Sequence, residues 1–65
     1  MHVLIVDDSA IVRLRLAEMV ESVEHVAVIG QAQGTTQGLL ALRDLRPDLV
    51  ILDIQMPDEI GRAHV

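Results

Sequence analysis

Three short apolar runs divide this chain, and the apolar positions between them follow helical spacing. Residues 3–6, 26–29 and 49–52 consist mainly of β-branched and leucine side chains, which is typical of strands covered on both faces. Apolar residues recur at helical spacing over residues 12–23, and again over residues 39–45. The pattern therefore predicts the element order β-α-β-α-β.

Polar residues at the ends of the predicted helices support their boundaries. Asp8 or Ser9 can cap the first helix, because short polar side chains accept hydrogen bonds from the unpaired amides of a first turn. Pro47 ends the second helix, since the residue before proline avoids helical backbone angles. In the first helix, we expect Met19 to lie in the core-facing stripe and Arg13 to lie outside it.

The predicted strands carry carboxylates at their carboxyl ends. Strands that alternate with helices form a parallel sheet with right-handed crossovers, and such sheets bind ligands beyond the carboxyl ends of the strands. Asp7 and Asp8 follow the first strand directly, and Asp53 follows the third. If these two strands are neighbours, about 4.8 Å apart, the three carboxylates meet at one edge of the sheet.

Carboxylates gathered in this way repel one another and need a compensating charge. Two like charges about 4 Å apart cost roughly 4 kcal/mol at an effective dielectric constant near 20. Oxygen ligands without a nearby cysteine or paired histidine favour Mg²⁺, an ion that suits phosphate chemistry. A carboxylate beside such an ion can be the nucleophile in phosphoryl transfer, which is the chemistry that the acidic cluster predicts.

The composition narrows the class of protein further. A net charge of −5 argues against a nucleic-acid-binding surface, which needs a basic patch. The absence of cysteine rules out a disulfide, and no apolar run approaches the roughly 20 residues of a membrane span. We expect a cytoplasmic domain with an aliphatic core, since the chain has no aromatic residue, and no contact with nucleic acid or membrane.

Two sequence segments carry a specific resemblance. The segments VLIVDDSA, residues 3–10, and LRPDLVILDIQMP, residues 45–57, resemble the first half of a response-regulator receiver domain. The resemblance covers residues 2–58. It implies an α/β fold, namely the β-α-β-α-β portion of a flavodoxin-like doubly wound parallel sheet. The strand order would be 2-1-3, and strands 4 and 5 of the family's fold would have no counterpart here.

The resemblance also implies roles for individual residues. Asp53 would accept a phosphoryl group from a phosphohistidine on a sensor histidine kinase, and no other residue is expected to be catalytic. Asp8 would bind Mg²⁺ directly and Asp7 largely through water, with Asp53 and the backbone carbonyl of Gln55 as further ligands. The domain would thus be a signalling phosphoacceptor rather than an enzyme. In a full-length parent it would pass its state to an output domain or partner.

The end of the chain departs from the family's pattern. The family pairs the phosphoryl group with a later lysine, and this chain contains no lysine. Residues 59–65 could be encoded by a common short-read sequencing adapter, so we expect a truncated receiver domain over residues 1–58 and a non-native tail over residues 59–65. The third strand would then be an exposed apolar edge, and phosphorylation would be impaired.

Other functions remain open alongside the phosphoacceptor. An inert interaction fragment would keep the fold without being phosphorylated. A phosphohydrolase that forms an aspartyl phosphate would call for a D-x-D pattern after the first strand, which the sequence Asp7-Asp8-Ser9 does not provide. A nucleotide-binding site is disfavoured more clearly, because the G-x-G-x-x-G pattern is absent there and bare carboxylates would repel a pyrophosphate.

Overall fold

The computed structural model describes residues 1–53. It contains five elements in the predicted order: β1 (His2–Val6), α1 (Ala10–Glu21), β2 (Ala27–Ala32), α2 (Thr35–Leu45) and β3 (Leu49–Leu52). The strands form one parallel sheet in the order β2-β1-β3, which confirms the predicted fold class and strand order. Neither α1 nor α2 is long and apolar enough to span a bilayer. Gln55 and the predicted tail over residues 59–65 lie outside the described residues.

The central strand β1 is buried on both faces because a helix covers each side of the sheet. Val3 and Ile5 pack beneath α1 together with Ala17, whereas Leu4 and Val6 point to the side of α2. Side chains alternate between the two faces of a strand, so a continuous apolar run fills two cores at once. This explains why residues 3–6 have no polar member.

Strand β2 is longer than the sequence pattern predicts. The predicted strand ends before Gly30, but β2 continues through this residue to Ala32. A β-bulge lies at Ile29, because Val28 and Gly30 pair with consecutive residues of β1. A Cβ atom at position 30 would lie 2.6 Å from Leu45 Cδ1, a methyl group at the end of a flexible side chain, so the strand passes close to the last residue of α2 at this glycine. Gly30 therefore marks a close approach and not the end of the strand.

The helix boundaries follow the predicted local signals. Ser9 is the N-cap of α1, and its hydroxyl oxygen accepts a hydrogen bond from the backbone amide of Val12 at 3.3 Å. Helix α2 ends at Leu45. The next residue, Arg46, has left-handed backbone angles with φ of 49°, and Pro47 follows it directly. The chain thus leaves the helix before proline, as the sequence predicts.

The inner face of α1 differs from the predicted stripe. Leu16, Ala17 and Val20 pack against the core, but Met19 is 65% exposed, so its predicted core position is wrong. Each helical residue is rotated by about 100° from the one before it, and this rotation turns Met19 out of the buried sector. Arg13, predicted to lie outside the stripe, is half-buried instead. Its spacing from the three core residues places it on the inner face.

The third strand lies at one edge of the sheet and is largely exposed. Its residues Leu49, Val50 and Leu52 are 44%, 37% and 54% exposed. Two of them, Val50 and Leu52, line an apolar groove of about 200 Å³ beside α2, together with Leu39 and Leu42. The predicted exposed apolar edge is therefore confirmed for the part of the chain that the structure describes.

The buried glycine of α2 provides a test of the packing between this helix and β1. A Cβ atom at Gly38 would lie 3.3 Å from both methyl groups of Val6, a stiff β-branched side chain. We expect Gly38→Ala to lower the free energy of unfolding by about 1 kcal/mol, because overpacking outweighs the gain in helix propensity. The control Thr36→Ala, at an exposed position of the same helix, should raise the free energy of unfolding by a few tenths of a kcal/mol. Urea denaturation followed by circular dichroism compares them, and a stabilising Gly38→Ala would contradict this packing.

The exposed edge predicts self-association that a charge should suppress. We expect Val50→Lys to reduce association at high protein concentration, because charged side chains on an edge strand oppose pairing with another strand. Leu40→Lys, on an exposed part of α2 away from the groove, makes the same change in net charge. Either lysine moves the net charge from −5 toward zero, which by itself favours association. Sedimentation velocity should therefore show less self-association for Val50→Lys than for Leu40→Lys. Equal self-association of the two variants would exclude the exposed edge of β3 as its cause.

Candidate functional site

Three aspartates meet where β1 and β3 end. One carboxylate oxygen from each of Asp7, Asp8 and Asp53 lies within 4.8 Å of the others. The backbone amide of Asp7 donates to the carbonyl of Ala32 at 2.9 Å, and that of Asp53 donates to the carbonyl of Val6 at 3.0 Å. The sheet hydrogen bonds thus continue one residue past the strands. They bring together the acidic residues that the sequence predicts to meet.

Asp7 is the most deeply buried of the three acids. It is only 2% exposed, and its Oδ1 accepts a hydrogen bond from the backbone amide of Ser9 at 2.8 Å. Its backbone carbonyl accepts a second hydrogen bond from Arg13 Nη1 at 2.6 Å. Within residues 1–53, no buried side-chain nitrogen or oxygen lacks a hydrogen-bond partner. Asp7 is therefore a buried acid whose polar groups are satisfied, as burial requires.

The three carboxylates differ in their access to solvent. Asp7 is buried, Asp53 is intermediate and Asp8 is exposed. At 4.8 Å, a pair of ionised carboxylates repels by about 3–4 kcal/mol at an effective dielectric constant near 20, and by less at Asp8, where water screens the charge. The donor set consists of hard oxygens and carries several negative charges. It fits Mg²⁺ better than a softer metal.

Arg13 is the residue of this region that the sequence interpretation missed. Its guanidinium donates to the peptide group that joins the two neighbouring acids. A signal was present, because Arg13 lies three, four and seven residues before the core positions 16, 17 and 20 of α1. That spacing places a residue on the inner face of a helix. Because arginine is charged, it was not counted among the apolar positions from which the inner face of α1 was predicted.

The match to a family model decides the family of this chain. Residues 3–64 match the model of the response regulator receiver domain. The chain belongs to the response regulator receiver domain family. A receiver domain is the part of a two-component system that the sequence motifs predicted, so the predicted family is confirmed.

Individual relatives agree with this assignment. The receiver chain is 45% identical over 56 residues to protein-glutamate methylesterase/protein-glutamine glutaminase 3 of Geobacter sulfurreducens, which covers 86% of the chain and 15% of that protein. It is 43% identical over 58 residues to an uncharacterized response regulatory protein of Vibrio cholerae, covering 89% of the chain and 24% of that protein. The chain thus spans less than a quarter of the length of these relatives.

A solved structure supports the receiver fold directly. The crystal structure of the response regulator domain of Thermotoga maritima CheB matches with a TM-score of 0.83 and 34% sequence identity. The alignment covers 89% of this receiver chain and 43% of that chain. The similarity concerns the response regulator domain of that protein.

The repulsion within the cluster predicts a metal-dependent stability. We expect Mg²⁺ to raise the melting temperature of the chain and EDTA to reverse the effect, because a cation that binds only the folded state stabilises it. Asp8→Asn should raise the stability of the metal-free protein by about 0.5–1 kcal/mol and reduce the effect of Mg²⁺, since it removes one repelling charge and one ligand.

Glu24→Gln serves as the matched control for this measurement. Glu24 is exposed and lies beyond the C-terminal end of α1, so the variant removes the same charge away from the cluster. It should leave the response to Mg²⁺ unchanged in differential scanning calorimetry. If both variants lost the Mg²⁺-induced rise in melting temperature to the same extent, the net charge of the chain, and not the aspartate cluster, would be what attracts the ion.

Proposed function

We propose that this receiver domain accepts a phosphoryl group on Asp53, with Mg²⁺ held by Asp7, Asp8 and Asp53. One observation carries the proposal: the three carboxylates converge to within 4.8 Å at the carboxyl ends of β1 and β3, in a chain of the receiver family. The resemblance adds the backbone carbonyl of Gln55 to the ligands. Mg²⁺, when bound, would neutralise negative charge on the phosphoryl oxygens.

The proposed donor is a phosphohistidine of a sensor histidine kinase. A carboxylate oxygen of Asp53 attacks the phosphorus atom while the bond between phosphorus and the imidazole nitrogen breaks. The nitrogen leaves with the electron pair and takes up a proton, and Asp53 becomes an acyl phosphate. Because Asp53 is only partly buried, its position is compatible with approach by a second protein.

The two acids after β1 have different tasks in this proposal. Asp7 is buried and hydrogen-bonded, so its carboxyl group is held in one position at the site. Asp8 is exposed, so its carboxylate can exchange water for a cation at little cost in desolvation. Neither residue forms a covalent bond in the transfer. Their contribution is to offset the charge of the incoming group through the ion that they bind.

Membership of the receiver family supports a proposal for the cellular compartment and the partners of the domain. We propose that it works in the cytoplasm, receives its phosphoryl group from a sensor histidine kinase and signals to an output domain or partner protein. Several relatives are named as protein-glutamate methylesterases, and the chain matches a small part of each. On its own, this segment is proposed to be a signalling phosphoacceptor without enzymatic turnover.

An inert interaction module is the second candidate, and a specific observation favours it. The 65 residues contain no lysine, so no lysine ammonium group within them can pair with a phosphoryl group on Asp53. The resemblance implies such a pairing in the family. We therefore expect phosphorylation to be slow even if Asp53 is competent. Phosphohydrolase activity has less support, since the site lacks the D-x-D pattern.

Intact-mass measurement after incubation with Mg²⁺ and acetyl phosphate tests the proposal. We expect a mass gain of one phosphoryl group, lost in Asp53→Asn, because the amide is a poor nucleophile of the same shape. Asp44→Asn removes an exposed carboxylate of α2 and should leave the gain intact. A folded sample that gains no mass would support the inert module. Continued release of inorganic phosphate over many turnovers would support the phosphohydrolase.

A further inference from the structure

We propose that Arg13 is a positioning residue of the metal site. By binding the carbonyl oxygen of Asp7, its guanidinium sets the direction in which Asp8 leaves β1. It thereby holds the two carboxylates in the arrangement that a cation needs. This inference deepens the proposed function, on whose Mg²⁺ site it rests, and it assigns a role to the half-buried cation of α1.

The geometry around Asp7 supports this role. Arg13 Nη1 donates to the Asp7 carbonyl at 2.6 Å, while Ser9 donates its backbone amide to Asp7 Oδ1 at 2.8 Å. The amide of Asp7 is bound to Ala32 at 2.9 Å. The backbone amide, the backbone carbonyl and the carboxylate of Asp7 are thus each tied to a different part of the fold.

The planarity of the peptide bond transmits this restraint to Asp8. The carbonyl of Asp7 and the amide of Asp8 belong to one rigid plane, so fixing the carbonyl fixes the orientation of the amide. A charged donor makes a stronger hydrogen bond to a carbonyl than a neutral one does. This hydrogen bond is accepted by the backbone carbonyl oxygen of Asp7, so it does not involve either carboxylate oxygen of Asp8.

The local helix geometry explains why arginine reaches this carbonyl. Arg13 begins the second turn of α1, with its backbone amide bonded to the carbonyl of Ser9 at 3.0 Å. On the inner face, its side chain runs back toward the N-terminus of the helix, the direction that helical side chains take. The carbonyl of Asp7 lies at that end. Arg15 is two residues further along and exposed, so it provides the same charge outside the core.

Positioning and simple electrostatics predict opposite results. If Arg13 acted only through its charge, it would repel a divalent cation, and its removal would strengthen Mg²⁺ binding. If it holds the acids in place, its removal weakens binding although the local charge becomes more favourable to a cation. The sign of the change in affinity therefore distinguishes the two roles.

The test is an NMR titration of the 65-residue chain with MgCl₂, read from the backbone amide resonances. The variants are Arg13→Gln, Arg13→Lys and the matched control Arg15→Gln. We expect Arg13→Gln to raise the dissociation constant for Mg²⁺ by about tenfold, as for other groups that orient metal ligands. Arg13→Lys, which keeps a charged donor, should lie between the wild type and Arg13→Gln. Arg15→Gln should bind at least as tightly as the wild type.

A metal-free measurement accompanies the titration. Without Mg²⁺, Arg13→Gln should accelerate hydrogen exchange of the Ser9 amide, since a looser Asp7 loses its bond to that amide, whereas Arg15→Gln should not. Equal or tighter Mg²⁺ binding by a folded Arg13→Gln would overturn the inference alone. If Arg13→Gln does not fold, unchanged affinity and exchange in Arg13→Lys would overturn it. A folded wild type that binds no Mg²⁺ would overturn the metal site of the proposed function and this inference together.

Discussion

The burial of one strand, β1, is the constraint on which the rest of this structure depends. It pairs in parallel with both other strands and is covered by a helix on each face. Four consecutive residues, from position 3 to position 6, are at most 3% exposed and supply both cores. A run buried in this way must be apolar throughout, so polar residues flank it: the exposed His2 precedes it, and Asp7 and Asp8 follow it at its carboxyl end. The acidic site is therefore a direct consequence of the strand's burial.

The acidic cluster at the end of β1 lowers the stability of the fold. Placing Asp7 at 2% exposure next to two further carboxylates opposes the stability that burial of β1 provides. Hydrogen bonds from Ser9 and to Ala32 offset part of this loss. The chain has no disulfide or aromatic residue to compensate further. The receiver domain thus retains an electrostatically strained cluster on a small aliphatic core, a compromise that is typical of functional sites.

Contacts with the helices place the site as much as the strands do. Helix α1 contributes the capping Ser9 and the half-buried Arg13, and both contact Asp7. Helix α2 approaches the sheet closely because Gly38 faces Val6, the last residue of β1. A bulge in β2 changes the face on which its side chains lie, so that Val28 and Ala32 enter different cores. The end of β1 is held from both sides of the sheet.

Local patterns in the sequence were enough to predict the element order and a cap at Asp8 or Ser9, and, with the strand order that the family resemblance implies, the convergence of Asp7, Asp8 and Asp53. Strands, caps and strand ends are set by neighbouring residues and by rules of parallel sheets, which explains this success. Only the tertiary structure decided that β2 continues past Gly30, that Met19 is exposed and that Arg13 donates to the backbone carbonyl of Asp7. Each of these depends on a contact between residues distant along the chain or on the exact rotation of a helix, which periodicity alone does not define.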